Sequence, residues 1–85
     1  MNYLVVIEHT GKNYCAAVPD VAGCVSAGET VEETLHHMKE ALEGHLADFS
    51  EYPEAHSLEW HLEQGFRLEE DQILAHVEIW RHAMV

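Results

Sequence analysis

The chain opens with short apolar runs separated by turn-forming residues. β-Branched and aromatic side chains dominate residues 3–8 and recur in residues 13–18, and the segment between them, 9–12, is turn-prone and contains a glycine. This pattern predicts a β-hairpin. Pro19 ends the second strand because proline has no backbone N–H to donate, and a third short strand is expected at 24–27.

The predicted hairpin has no polar face. If Glu8 pairs with Asn13 across the turn, the side chains divide into two sets by their alternation along each strand. One set is Tyr3, Val5, Ile7, Tyr14, Ala16 and Val18, and the other is Leu4, Val6, Cys15 and Ala17. An antiparallel sheet with one face in water should alternate apolar with polar residues. Both faces are therefore expected to need cover.

The clearest periodicity in the chain predicts a helix from about Val31 to Asp48. Thr30 can cap this helix, and Glu33 follows three residues later, as in a capping box. Apolar residues recur at helical spacing, at Val31, Leu35, Met38, Leu42, Leu46 and Phe49. The opposite side carries Glu32, Glu33, His36, Lys39, Glu40 and Glu43. We expect the helix to cover one face of the sheet and to present an acidic side to water.

The rest of the chain carries a weaker pattern. Ser57 as a cap and Gly65 as a stop predict a short second helix. The segment Ile73–Trp80 predicts a last strand, with Ala75, Val77 and Ile79 on one face and His76, Glu78 and Trp80 on the other. The predicted fold is α+β with the order βββα(α)β, a small antiparallel sheet with one main helix packed on one face. We expect it to form a single domain over residues 1–85.

One helix cannot cover both faces of such a sheet, and lone domains rarely expose a large apolar patch. We therefore expect a homodimer or a higher even-numbered oligomer built through the sheet. Val5, Tyr14 and Trp80 are the residues assigned to this oligomer or partner surface. The acidic side of the helix is not expected to take part, because like charges repel.

Composition and charge narrow the functions that the chain can have. Sixteen acidic residues against four Lys and Arg give a formal charge of −12, which repels nucleic-acid phosphates and attracts basic proteins. Cys15 and Cys24 are too few for the disulfide framework of a small secreted domain, so we expect both to be reduced. The first apolar run is too short for a signal peptide or a membrane span. These features indicate a cytoplasmic protein that binds neither nucleic acid nor membrane directly.

The eight histidines raise the question of a metal site. His36 and Glu40 are spaced i, i+4, the pitch at which two side chains can hold one ion, and Glu43 lies a further turn along. Such groups on an exposed helix usually form only a solvated surface, so metal binding there is kept as an alternative. The sequence shows no nucleophile paired with a base and no glycine-rich phosphate loop. We expect no catalytic residues, no cofactor and no enzyme activity.

The segment 14–33 resembles the signature of HicB-like antitoxins. In that family a hairpin leads into a Pro-Asp-aliphatic-Pro-Gly-Cys run, and a glycine and an acidic residue then precede a capped helix. The matching residues here are Pro19, Asp20, Gly23, Cys24 and Gly28. The segment Glu40–Leu46 also resembles the end of the family's helix. The chain departs from the pattern at Ala22, where the family usually has a second proline.

This resemblance implies a partial RNase-H-like fold without the nuclease carboxylates. It also implies a protein-binding module that neutralises, or formerly neutralised, a HicA-type toxin, which is a small basic RNA-cleaving protein. The acidic charge of the chain suits such a partner. Nothing after Trp60 resembles the basic DNA-binding module of full-length antitoxins. Two alternatives stay open, a small metal-binding protein and an orphan structural domain that has no toxin partner.

Overall fold

A computed structural model describes residues 1–80 of the chain. Its elements are β1 (Asn2–Thr10), β2 (Asn13–Ala17), β3 (Val25–Gly28), α1 (Val31–Leu46), α2 (Leu58–Glu63) and β4 (Gln72–Glu78). The four strands form one antiparallel sheet in the order β3-β2-β1-β4. The predicted α+β class and the element order βββα(α)β are confirmed. Among these residues, no helix is long and apolar enough to cross a membrane.

The hairpin register differs from the predicted one by two residues. Glu8 pairs with Cys15, and Asn13 pairs with Thr10, so the connection is only two residues long. Gly11 takes a φ of 60°, which is the left-handed backbone conformation that such tight turns need. Side chains alternate with a period of two, so a slip of two residues returns each side chain to the same face. The predicted register is therefore wrong, but the predicted division into two faces is confirmed.

Helix α1 covers the face that contains Tyr3, Val5 and Ile7. The core on this side consists of Tyr3, Val5, Ile7, Ala16, Val18, Val21, Cys24, Met38, Leu42, Leu46, Val77 and Ile79. Val5 has no exposed surface, and Tyr14 packs against the same core. Assigning Val5 to a partner surface is therefore wrong, whereas Tyr14 is half-buried and its assignment stays a prediction. Both hairpin faces are apolar, and the sequence pattern does not distinguish which of them the helix covers.

The start of α1 follows the prediction more closely than its end. The Thr30 hydroxyl accepts a hydrogen bond from the backbone N–H of Glu33 at 3.0 Å, as expected for the cap. The helix ends at Leu46 and not at Asp48, because the chain turns there and the N–H of Phe49 donates to the Leu46 carbonyl. Phe49 is consequently exposed, and the prediction that it belongs to the apolar stripe of the helix is wrong.

Gly28 allows α1 to approach β3 closely. A Cβ atom at this position would lie 2.8 Å from the backbone nitrogen and the hydroxyl oxygen of Thr34, which is fully buried. Two polar contacts hold the helix to the strand at this point. The Ser26 hydroxyl donates to the Thr34 carbonyl at 2.9 Å, and the His37 ring lies 2.7 Å from the Ala27 carbonyl. The glycine of the family pattern thus has a packing role here.

The second half of the chain returns to the sheet through α2 and β4. The Ser57 hydroxyl accepts from the N–H of Trp60 at 3.1 Å, and Gly65 has a φ of 104°, so the predicted cap and stop of α2 are confirmed. Strand β4 pairs with β1 along its whole length and ends at Glu78, two residues before the predicted end. Val77 is buried and Glu78 exposed, as the predicted alternation requires.

Candidate functional site

The face of the sheet opposite α1 is uncovered in its middle. We call this the open face, and its exposed or half-buried apolar members are Val6, Cys15, Ala17, Val25, Ala27 and Leu74. Val25 is 66% exposed, and a hollow of about 540 Å³ lies over this surface between Val6 and Val25. Leu4, on the same face, is fully buried. The expectation that one helix leaves one apolar face uncovered is confirmed for residues 1–80.

Trp80 lies at the far end of the open face. The N–H of Ile79 donates to the Met1 carbonyl at 2.7 Å, so strand pairing continues past the end of β4. Ile79 is buried on the α1 side, and the next residue, Trp80, is 72% exposed. The outward position predicted for Trp80 is therefore confirmed. This indole and Val25 are the most exposed large apolar side chains among residues 1–80.

The outer side of α1 is acidic and solvent-exposed. Its exposed residues are Glu32, Glu33, His36, His37, Lys39, Glu40 and Glu43. The ring Nε2 of His36 lies 3.1 Å from Glu40 Oε1, an exposed i, i+4 pair of the kind that contributes little to stability. Glu43 does not join this pair to complete a three-ligand group. Metal binding at His36, Glu40 and Glu43 therefore stays an alternative that the structure does not test, and this side of α1 is a charged, exposed surface.

The loop between β2 and β3, residues 18–24, carries the family motif, and we call it the motif loop. Hydrogen bonds between its own backbone groups fix its shape. The Val21 N–H donates to the Val18 carbonyl at 3.1 Å, and the Cys24 N–H donates to the Val21 carbonyl at 3.2 Å. Gly23 has a φ of 81°, which supplies the left-handed position between these bonds. Burial raises the pKa of the Cys24 thiol, whose sulfur lies 3.8 Å from Met38 Sδ. Cys24 therefore acts here as an apolar filler.

Asp20, in the same loop, lies at the centre of a buried polar cluster. The Asp20 cluster consists of Asp20, His56 and His61, which come from the motif loop, the segment before α2 and α2 itself. Asp20 Oδ1 lies 2.8 Å from His56 Nδ1, and Oδ2 lies 3.1 Å from His61 Nε2. The backbone N–H of His56 also donates to Oδ2 at 2.9 Å. Both carboxylate oxygens are thus engaged.

Burial and hydrogen bonding oppose each other at this carboxylate. The Asp20 side chain is only 4% exposed, and burial by itself would raise the pKa of the carboxyl group. The side-chain and backbone hydrogen bonds from His56, together with the hydrogen bond and charge of His61, outweigh burial and lower the pKa below its usual value. Asp20 is therefore an ionised carboxylate with two imidazole rings directed at it.

No sequence pattern singles out His56 or His61. Asp20 is recognisable only as a residue of the family motif, and the two histidines follow it by 36 and 41 residues along the chain. No periodicity links positions that far apart. The cap at Ser57 is the nearest sequence signal, because it fixes the start of α2 and so places one histidine before the helix and the other within it.

The fold is shared with antitoxins of known structure. The N-terminal domain of Burkholderia pseudomallei antitoxin HicB superposes with a TM-score of 0.74 at 24% identity, covering 95% of this chain and 100% of that domain. Antitoxin HicB3 gives a TM-score of 0.75 at 26% identity over 93% of this chain and 62% of that protein. A complex of HicA3 and HicB3 contains a chain that matches with a TM-score of 0.69 at 24% identity, covering 95% of this chain and 100% of that one.

Two relatives are similar in sequence. A 14.9 kDa protein from the rep-hol intergenic region of Haemophilus phage HP1 (strain HP1c1) is 40% identical over 68 residues, which cover 75% of this chain and 51% of the relative. A UPF0150 protein of Helicobacter pylori (strain J99 / ATCC 700824) is 49% identical over 43 residues, 51% of this chain and 60% of the relative. The chain thus spans about half to three fifths of these two relatives.

The family comparison covers nearly the whole chain. The model described as the HicB-like antitoxin of bacterial toxin–antitoxin systems matches residues 3–81. The match includes the motif loop, α1, the Asp20 cluster and β4. This chain therefore belongs to the HicB-like antitoxin family of bacterial toxin–antitoxin systems.

Proposed function

We propose that this protein is an antitoxin that neutralises a small basic HicA-type RNase toxin by direct binding and does not itself catalyse a reaction. The observation that carries the proposal is the family match over residues 3–81. The similarity to a chain in the HicA3 and HicB3 complex supports it, because that complex pairs a toxin with an antitoxin. The chain's formal charge of −12 suits a basic partner.

We assign the first contact with such a toxin to the acidic side of α1. Four exposed glutamates, Glu32, Glu33, Glu40 and Glu43, lie along this helix. Complementary charges steer encounter and increase the association rate, most strongly at low salt. The open face is apolar, so we do not assign it to this charge-driven first contact.

Co-expression tests the antitoxin role. The small basic protein encoded next to this chain's gene is expressed with and without this chain, and growth and co-purification are measured. We expect the toxin to arrest growth alone, and we expect this chain to restore growth and to elute with the toxin. Failure of both rescue and complex formation would contradict the proposal and favour an orphan structural domain.

Charge reversal tests the assigned surface. We expect Glu40→Lys combined with Glu43→Lys to slow association with the toxin by roughly tenfold at low salt, with a smaller effect at high salt. The matched control is Glu69→Lys combined with Glu70→Lys, which makes the same charge change at exposed positions outside α1. Equal slowing by both double variants would show that net charge matters and that the α1 surface does not.

We further propose that the open face forms a homodimer or a higher even-numbered oligomer. The exposed Val25 and Trp80 and the hollow of about 540 Å³ support this assignment. Stable interfaces commonly bury roughly 800 Å² per partner, which is feasible for a face of this kind. Sedimentation at moderate salt is the test. A protein that stays monomeric through the micromolar range would contradict it.

We place the protein in the cytoplasm, where the RNA substrates of a HicA-type toxin are found, and treat residues 1–85 as one domain. Fractionation of cells that carry the natural gene tests the location. Because the chain spans only about half to three fifths of its sequence relatives, its role within a whole antitoxin is part of the same proposal.

A further inference from the structure

We propose that the Asp20 cluster is a binding site for a divalent transition-metal ion of the zinc class. Within residues 1–80 it is the group of three side chains whose ligand atoms all lie within 4.8 Å of one another. Asp20 supplies a carboxylate oxygen, and His56 and His61 supply one imidazole nitrogen each. Two imidazoles and a carboxylate are a ligand set that zinc accepts, with a fourth position left for water.

The distances in the cluster suit an ion of this size. Zinc lies about 2.0–2.2 Å from nitrogen and oxygen ligands, so two ligand atoms of a tetrahedral site are roughly 3.4 Å apart. The two Asp20–imidazole separations, one from each carboxylate oxygen, are 2.8 and 3.1 Å, and the His56 and His61 rings stand nearly perpendicular at 85°. A small outward movement of each ring makes room for the ion. A neutral ring then moves its proton from the ligating nitrogen to the other nitrogen, and a protonated ring releases its extra proton to water.

The surroundings support ligation at this point. The backbone N–H of His56 holds Asp20 Oδ2 at 2.9 Å and so fixes the carboxylate direction. Glu54 Oε2 lies 3.6 Å from His56 Nε2, where it can attract the proton that metal binding moves to that nitrogen. Trp60 stacks on the His56 ring at 3.7 Å between centroids. A carboxylate behind a ligating histidine is a common supporting arrangement in metal sites.

Burial and charge favour a cation here. The side chains of Asp20 and His61 are 4% and 8% exposed, and that of His56 is 24% exposed, so an ion can enter from the His56 side. The site contributes one negative charge, and the whole chain carries −12. Imidazole ligands favour zinc, nickel or copper over magnesium and calcium, which prefer oxygen ligands. The ion would connect the motif loop to α2.

Isothermal titration of the whole chain with zinc, and separately with nickel, tests the site. We expect one ion per chain and at least about tenfold weaker binding by His56→Gln. His36→Gln is the matched control, because it also removes an imidazole beside a carboxylate, but on the exposed side of α1. It should bind as tightly as the wild type. Equal binding by wild type and His56→Gln, or no binding by the wild type, overturns the proposal.

A fluorescence measurement keeps the test decisive if His56→Gln does not fold. In Trp80→Phe, Trp60 is the single tryptophan, and its indole lies against a ligating ring. Nickel bound at the Asp20 cluster should quench Trp60 emission, and excess zinc should restore it. Zinc should also raise the melting temperature of the same protein. Unchanged Trp60 emission under nickel concentrations that saturate the titration overturns the proposal and leaves a purely hydrogen-bonded cluster.

Discussion

Val5 and Val6 are neighbours in β1, yet they lie in different environments. Val5 is fully buried beneath α1, whereas Val6 lies on the open face and lines its hollow. The same contrast separates Cys24, which is buried in the core, from Cys15, which is exposed on the open face. The two sets of side chains are chemically similar. Tertiary packing, and not local composition, therefore makes one face a core and leaves the other uncovered.

The largest loss of stability is expected when a charge is placed on the covered face, which is the face of the sheet beneath α1. Val5→Asp places a carboxylate among apolar side chains without a partner, and we expect it to lower the free energy of unfolding by roughly 4 kcal/mol or more. Such a loss is comparable to the whole stability of a small domain. Circular dichroism and urea denaturation measure it. A folded Val5→Asp protein with an unchanged urea midpoint would contradict the face assignment.

A smaller loss is expected where α1 meets β3. Gly28→Ala adds a Cβ atom 2.8 Å from Thr34 atoms, including a backbone nitrogen, so the helix must move. We expect a loss of about 1–3 kcal/mol in the free energy of unfolding. Gly44→Ala is the control, because a Cβ there meets nothing within 4 Å and alanine favours the helix by roughly 1 kcal/mol. Opposite signs for the two variants in urea denaturation are the expected result.

Elements set by neighbouring residues are the ones that the sequence predicts well. The cap at Thr30, the α2 cap at Ser57 and the alternation along β4 depend on contacts within a few residues, and all three are confirmed. The hairpin register is wrong because the tight turn at Gly11 is shorter than the turn-prone segment suggested. The sheet face beneath α1 is not predictable, since both faces are apolar.

The contacts of the functional residues are even harder to predict from the sequence, because they join distant parts of the chain. The family motif identifies Asp20 but gives no indication that its carboxylate binds two imidazoles from residues 56 and 61. Those contacts form only when the segment after α1 folds back on the motif loop. By contrast, the exposed position of Trp80 follows from strand alternation alone. Long-range polar clusters therefore need the structure, whereas the uncovered apolar face can be deduced from pattern.

A charge on the open face should separate association from folding. Val25 is 66% exposed, so we expect Val25→Asp to change the free energy of unfolding of the monomer by no more than about 0.5 kcal/mol. The same change places an unpaired charge in the proposed apolar interface and should dissociate the dimer. Trp80→Asp should also dissociate the proposed dimer. Sedimentation of both variants at the wild-type concentration measures the effect, and an unaffected oligomer would place the interface on another surface.

The subtlest contrast is between the two thiols, and it needs no change in stability. The thiolate is the reactive form of cysteine, and burial both raises the pKa of Cys24 and shields its sulfur. Cys15 is exposed on the open face. In dilute native protein, we therefore expect a disulfide reagent to modify one thiol per chain quickly and the second only after denaturation. Cys15→Ser should remove the fast phase.

At concentrations where the proposed dimer forms, Cys15 should become slower to react, and Val25→Asp should restore its rate. Rapid modification of Cys24 in folded protein would contradict the assignment of the covered face, whereas a Cys15 rate that does not depend on concentration would place the dimer contact elsewhere.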